Sequence, residues 1–83
     1  DPAEAAKRAE AERKAEAERK AIERRNAEIR ADNCQRAQTS LATLNTGGRL
    51  ATVNESGQRI VMDEGMRAAE RARLEQIIRD NCR

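Results

Sequence analysis

The first part of the chain combines alanine with charged side chains and has no larger aliphatic residue between Pro2 and Ile22. The six-residue pattern Ala-Glu-Ala-Glu-Arg-Lys occupies residues 9–14 and 15–20, with imperfect copies on either side. Because six residues advance about 600° around a helix, successive alanines rotate by about 120° and form no apolar stripe. The repeat instead places glutamate four residues before lysine, a spacing that stabilises a solvated helix. We therefore expect a charged helix, with Asp1 as its N-cap and Pro2 in its first turn.

From Ile22 onward the same helix gains an apolar face. Six of its side chains fall within about 140° of a helical wheel, a width typical of a helix that packs on a core. They are Ile22, Ile29, Cys34, Ala37, Leu41 and Leu44. Gly47 is suited to the left-handed conformation that ends many helices. The pattern therefore predicts one helix from Pro2 to about Asn45.

Two short β-favouring runs, 49–53 and 58–62, flank a turn that ends in Gly57. Glycine at this place is typical of a hairpin whose three-residue loop closes in the left-handed region. The expected opposing pairs are Leu50 with Met62, Ala51 with Val61, and Thr52 with Ile60. One face then holds Leu50, Ile60 and Met62, and the other holds Ala51, Val53 and Val61. A lone hairpin is marginally stable, so we expect one face to pack on a helix while the other lacks a partner.

The remaining segment predicts a second helix over residues 64–81, with Asp63 as its N-cap. Its apolar arc spans about 160° and consists of Met66, Leu74, Ile77, Ile78 and Cys82. Arginines and acidic residues alternate outside this arc, which predicts a surface laced with salt bridges. They are Arg67, Arg71, Arg73 and Arg79, with Glu70, Glu75 and Asp80.

Together these elements predict a mainly α fold with a small β-hairpin. A long N-terminal helix leads to the hairpin, and an antiparallel C-terminal helix follows it. We divide the chain into a charged helical stalk, residues 1–32, and a helix–hairpin–helix module, residues 33–83. The stalk is interpreted as a solvated linker helix, and a weakly self-associating coiled coil is the alternative.

The two cysteines lie on the apolar faces of the two predicted helices. If the helices run antiparallel with Cys34 beside Cys82, Leu41 lies near Leu74 and the apolar residues of both helices find neighbours. A disulfide at this place would stabilise the fold by about 4 kcal/mol. Buried free thiols, a redox-active pair and a bond between chains are alternatives. We favour a structural disulfide, which predicts an oxidising compartment such as the bacterial periplasm.

Composition excludes several kinds of chemistry. The 83 residues contain no His, Phe, Tyr or Trp, so the commonest general base and all base-stacking rings are missing. Seventeen basic and fifteen acidic residues leave a net charge of +2, which is too balanced for a nucleic-acid surface. Met62 and Met66 are interpreted as core filler rather than as soft metal ligands. We expect no enzyme activity, no cofactor, no metal site and no transmembrane segment.

Five short motifs follow one another in the second half of the chain. They are Asn33-Cys34-Gln35-Arg36-Ala37, Leu41-Ala42-Thr43-Leu44-Asn45-Thr46-Gly47, Glu55-Ser56-Gly57, Met62-Asp63-Glu64 and Asn81-Cys82. This order resembles the C-terminal segment of a proteobacterial family of small exported proteins, the domain of unknown function numbered 4124. The resemblance implies export, a signal peptide in the precursor and a Cys34–Cys82 bond, but no activity. The sequence departs from this family in two ways. Ile60 and Val61 stand where relatives often carry aromatic residues, and residues 1–83 do not include the family's N-terminal β module.

The hairpin face without an intramolecular partner predicts a docking surface made of Ala51, Val53, Arg59 and Val61. Our leading hypothesis is a non-catalytic interaction or spacer module in the periplasm of a Gram-negative bacterium. The long helix would set a distance, and the tip would dock another envelope protein or a second copy of the chain. The alternatives are binding of nucleic acid or an anionic surface through the Arg-rich C-terminal helix, and a thiol redox protein.

Overall fold

We describe the protein from a computed structural model that covers residues 1–83. Two helices are joined by a two-stranded antiparallel sheet. In chain order the elements are α1 (Pro2–Leu44), β1 (Ala51–Val53), β2 (Arg59–Val61) and α2 (Glu64–Asn81). This architecture confirms the predicted fold class and the order of its elements.

Local interactions account for the length of α1. The Asp1 side chain accepts a hydrogen bond from the Ala3 N–H at 3.2 Å, and Pro2 occupies the first turn. Ion pairs along the helix join residues that are about one turn apart, and all of these pairs are largely exposed. They join Glu10 to Lys14 at 3.4 Å, Glu16 to Arg19, and Asp32 to Arg36 at 2.8 Å. Each such pair contributes only about 0.3–0.5 kcal/mol to the stability of the helix. The intrinsic helix propensity of Ala, Glu, Lys and Arg therefore supplies much of the stability of the stalk.

Helix α2 packs only on the C-terminal part of α1. It ends at Asn81, whose side-chain oxygen accepts a hydrogen bond from the Asn33 amide at 3.2 Å. Ile22 and Ile29 lie beyond that end and remain 53% and 51% exposed. The prediction that both belong to the core-facing arc was therefore wrong, because the shorter helix does not reach them.

A small core holds the two helices and the hairpin together. Ala37, Leu44 and Leu74 are buried, and partly buried apolar side chains pack around them. The surrounding residues are Leu41, Leu50, Met62, Ile77 and Ile78. The predicted arc residues of α1 from Ala37 to Leu44 and of α2 from Leu74 to Ile78 thus contribute to the core, whereas Met66, predicted on the same arc of α2, is not part of it.

The hairpin has the predicted register. Its paired residues are Ala51 with Val61, Thr52 with Ile60, and Val53 with Arg59. Gly57 closes the loop at a φ of 80°, in the left-handed region that glycine adopts without steric cost. The Asn54 side-chain oxygen accepts hydrogen bonds from the Ser56 and Gln58 N–H groups at 3.0 and 2.9 Å. Asn54 and Gly57 therefore define the turn.

Candidate functional site

A disulfide fixes the relative position of the two helices. Cys34 lies on α1 and Cys82 is the C-cap residue of α2, and their Sγ atoms are bonded with the Cα atoms 5.0 Å apart. The predicted intramolecular bond is present, and neither cysteine is a free thiol. Because the bond joins the C-cap of α2 to the C-terminal part of α1, it also sets which part of α1 the shorter helix covers.

Arginines of α2 hold the C-terminal end of α1. Arg67 is half-buried and donates to the carbonyl oxygens of Leu44 and Gly48 at 2.9 and 2.8 Å. Arg71 donates to the Asn45 side-chain oxygen at 3.2 Å. These contacts place positive charge where the last carbonyl groups of a helix lack partners. Sequence reasoning missed this role. The available signal was that α1 has no basic residue in its own last turn, so a cation near its last carbonyl groups has to come from another element.

The predicted lace of salt bridges on α2 is reduced to one pair. Arg73 donates through Nε to Glu70 at 3.0 Å, and this hydrogen bond holds the pKa of the Glu70 carboxyl below its usual range. Arg79 donates instead to the amide oxygen of Gln76 at 2.7 Å. The prediction of several salt bridges on this face therefore holds for one pair alone, because Arg67 and Arg71 turn toward the end of α1.

The side chains of Ala51, Val53, Arg59 and Val61 form what we call the outer face of the hairpin. They form two directly opposed pairs that lie two residues apart along each strand, so all four project from the same side of the sheet. All four are exposed, and the exposed fractions reach 67% for Val53 and 50% for Val61. The structure therefore brings the four predicted surface residues together on one unpacked face. Ile60, expected on the packed face, is itself 39% exposed.

Sequence reasoning also missed a groove beside β1. It has a volume of about 460 Å³ and lies between α1, α2 and the hairpin. Apolar walls come from Leu44, Leu50 and Leu74, and hydroxyl groups come from α1. The Glu70–Arg73 pair also lines it. No local sequence signal marks such a groove, because its walls include Leu44 and Leu74, which are far apart in the sequence and meet only in the fold.

Comparison of the chain with protein-family models, with curated proteins and with solved structures finds no match. The resemblance to the exported family numbered 4124 therefore stays a prediction. Neither helix is both long enough and apolar enough to cross a lipid bilayer. The disulfide is typical of proteins that fold outside the cytoplasm.

Proposed function

We propose that the protein is a non-catalytic interaction or spacer module of the cell envelope, in the periplasm of a Gram-negative bacterium. The Cys34–Cys82 bond supports an oxidising compartment. The resemblance of residues 33–82 to a family of exported proteins supports the same compartment. In this proposal α1 is the spacer and the hairpin is the docking element.

The unpacked outer face of the hairpin carries the proposal. Val53 and Val61 are 67% and 50% exposed, and they lie on one side of a sheet whose other side packs on the core. Neighbouring exposed apolar side chains are a feature of surfaces to which another protein binds, and they support this role for the outer face. Arg59 is on the same face and opposite Val53, and arginine beside apolar residues is common in protein interfaces.

The stalk supports the spacer part of the proposal. The molecule measures 71 × 29 × 15 Å, and an α-helix of 43 residues accounts for about 65 Å of the longest dimension. No other element packs on the N-terminal half of α1. A helix that extends without tertiary contacts would hold the tip at a fixed distance from the N-terminal end of the stalk.

We predict that changing Val53→Asp and Val61→Asp together abolishes docking without unfolding the module. Two carboxylates on the outer face oppose burial against an apolar partner. Sedimentation velocity would measure self-association, and pull-down from a periplasmic extract would measure capture of another envelope protein. Ile22→Asp with Ile29→Asp is the matched control, since it adds the same charge at similarly exposed residues of the stalk.

The proposal requires that the hairpin variant loses association while the stalk variant keeps it. Circular dichroism and an intact disulfide would verify that both variants fold. If the hairpin variant sediments and captures protein as the unchanged chain does, the outer face is not the docking surface. If only the stalk variant loses association, the docking element is α1.

A further inference from the structure

The edges of the hairpin carry backbone groups that no part of the chain pairs. The Met62 N–H donates to Leu50 at 2.7 Å and the Asn54 N–H donates to Gln58 at 2.9 Å. In an antiparallel ladder, pairs that exchange hydrogen bonds alternate with pairs that do not. The pairs Ala51–Val61 and Val53–Arg59 are therefore pairs that exchange no hydrogen bonds with each other. Their N–H and C=O groups point away from the hairpin, along β1 on one edge and β2 on the other.

The two edges differ in charge. The β2 edge carries Arg59, and a charged side chain is a common device against unwanted strand pairing. The β1 edge consists of Ala51, Thr52 and Val53 and has no charge. It has no proline, bulge or covering element either. Of the two edges, β1 is the one open to a further strand.

The groove of about 460 Å³ lies on the side of β1. Three consecutive residues, 50–52, line it, so it reaches the edge of this strand and not only one face. Met62 lines it from beyond the end of β2, opposite Leu50, whereas the three residues of β2 itself do not. A strand added beside β1 would place its inward side chains next to Thr52, above the walls formed by Leu44 and Leu74. An aliphatic side chain suits these walls, and the hydroxyl groups of Thr39 and Ser40 suit a polar neighbour.

We propose that the β1 edge accepts an extended segment of a partner protein as a third strand of the sheet. Backbone hydrogen bonds to Ala51 and Val53 would hold the segment, and an aliphatic side chain of the segment would fill the groove. This is strand addition, in which the main chain supplies affinity and alternate side chains supply specificity. The inference rests on the proposed interaction function and specifies the partner of the same hairpin.

The test uses the full chain and a synthetic peptide. The probe is a seven-residue peptide, acetylated and amidated, in which threonine alternates with valine around a central leucine. Titration to millimolar concentration is followed by amide chemical shifts of the isotope-labelled protein. We expect saturable shifts at residues 51–53 and around the groove. The same peptide with proline in place of leucine serves as the negative probe, since it cannot continue a ladder.

A pair of proline variants tests the β1 edge. Val53→Pro removes an outward N–H of β1, and Glu55→Pro removes an N–H of the turn that makes no hydrogen bond, so neither removes a hydrogen bond of the hairpin. We expect the first variant to lose the saturable shifts and the second to keep them. Spectra of the free variants that retain the dispersed signals of the core would verify that both fold.

The inference would be overturned by the absence of a saturable shift at residues 51–53, by equal binding of the peptide to Val53→Pro, or by shifts confined to the β2 edge. Shifts at Ala51 and Val53 that grow with protein concentration, without peptide, would show that a second copy occupies the edge, and that too would overturn it. If the peptide fails while Val53→Asp with Val61→Asp still abolishes docking, the proposed function stands and only strand addition fails.

Discussion

At the scale of single residues, Arg67 makes the most consequential contact between distant parts of the chain. Its guanidinium donates to Leu44 at the end of α1 and to Gly48 in the connection to β1. The bidentate geometry of arginine allows both contacts at once. One side chain thus positions the end of α1, the start of the hairpin and the first turn of α2.

We predict that Arg67→Ala lowers the free energy of unfolding of the module by about 1.5–3 kcal/mol, because it removes two hydrogen bonds from a charged donor. Arg79→Ala is the matched control, since Arg79 is exposed and donates only to Gln76 one turn away. Amide hydrogen exchange at Leu74 in the core would measure the change in the free energy of unfolding in both variants. Equal protection in the two variants would contradict the role given to Arg67.

At the scale of elements, most boundaries follow from local chemistry and were predictable from the sequence. Asp1, Asp63 and Gly57 each stand where a cap or turn requires them. The apolar arc of a helix and the alternation of residues along a strand show which way a side chain faces. They do not show how far along the chain the neighbouring element extends. For this reason Ile22 and Ile29 were assigned to a core that ends near Cys34. The groove and the contacts of Arg67 depend on tertiary distances in the same way.

We predict that Gly57→Ala destabilises the hairpin by about 1–2 kcal/mol, because its φ of 80° is unfavourable for any residue with a Cβ. Gly48→Ala is the control, because its backbone is not left-handed and an added Cβ meets only Thr46 Oγ1 at 3.7 Å. Exchange of the Met62 amide should accelerate roughly fivefold to thirtyfold in the first variant only. Comparable rates in both variants would contradict the importance of the left-handed turn.

At the scale of the whole molecule, the protein is an extended rod with a small closed tip. Its radius of gyration is 22.1 Å, compared with about 12 Å for a compact chain of this length. Three buried residues make a core that is too small to order the tip by itself. Closing a loop across a sequence separation of 48 residues stabilises by about 4 kcal/mol. The disulfide therefore determines whether the tip folds, whereas the stalk is independent of it.

The most direct measurement of this dependence is amide hydrogen exchange, followed by mass spectrometry, with and without a phosphine reductant. We predict that reduction accelerates exchange about a thousandfold, or to the unprotected rate, in residues 50–81, and leaves residues 5–30 of the stalk unchanged. Cys34→Ser with Cys82→Ser should reproduce the reduced pattern without reductant. If protection across residues 50–81 changes less than about tenfold on reduction, the disulfide does not hold the tip together.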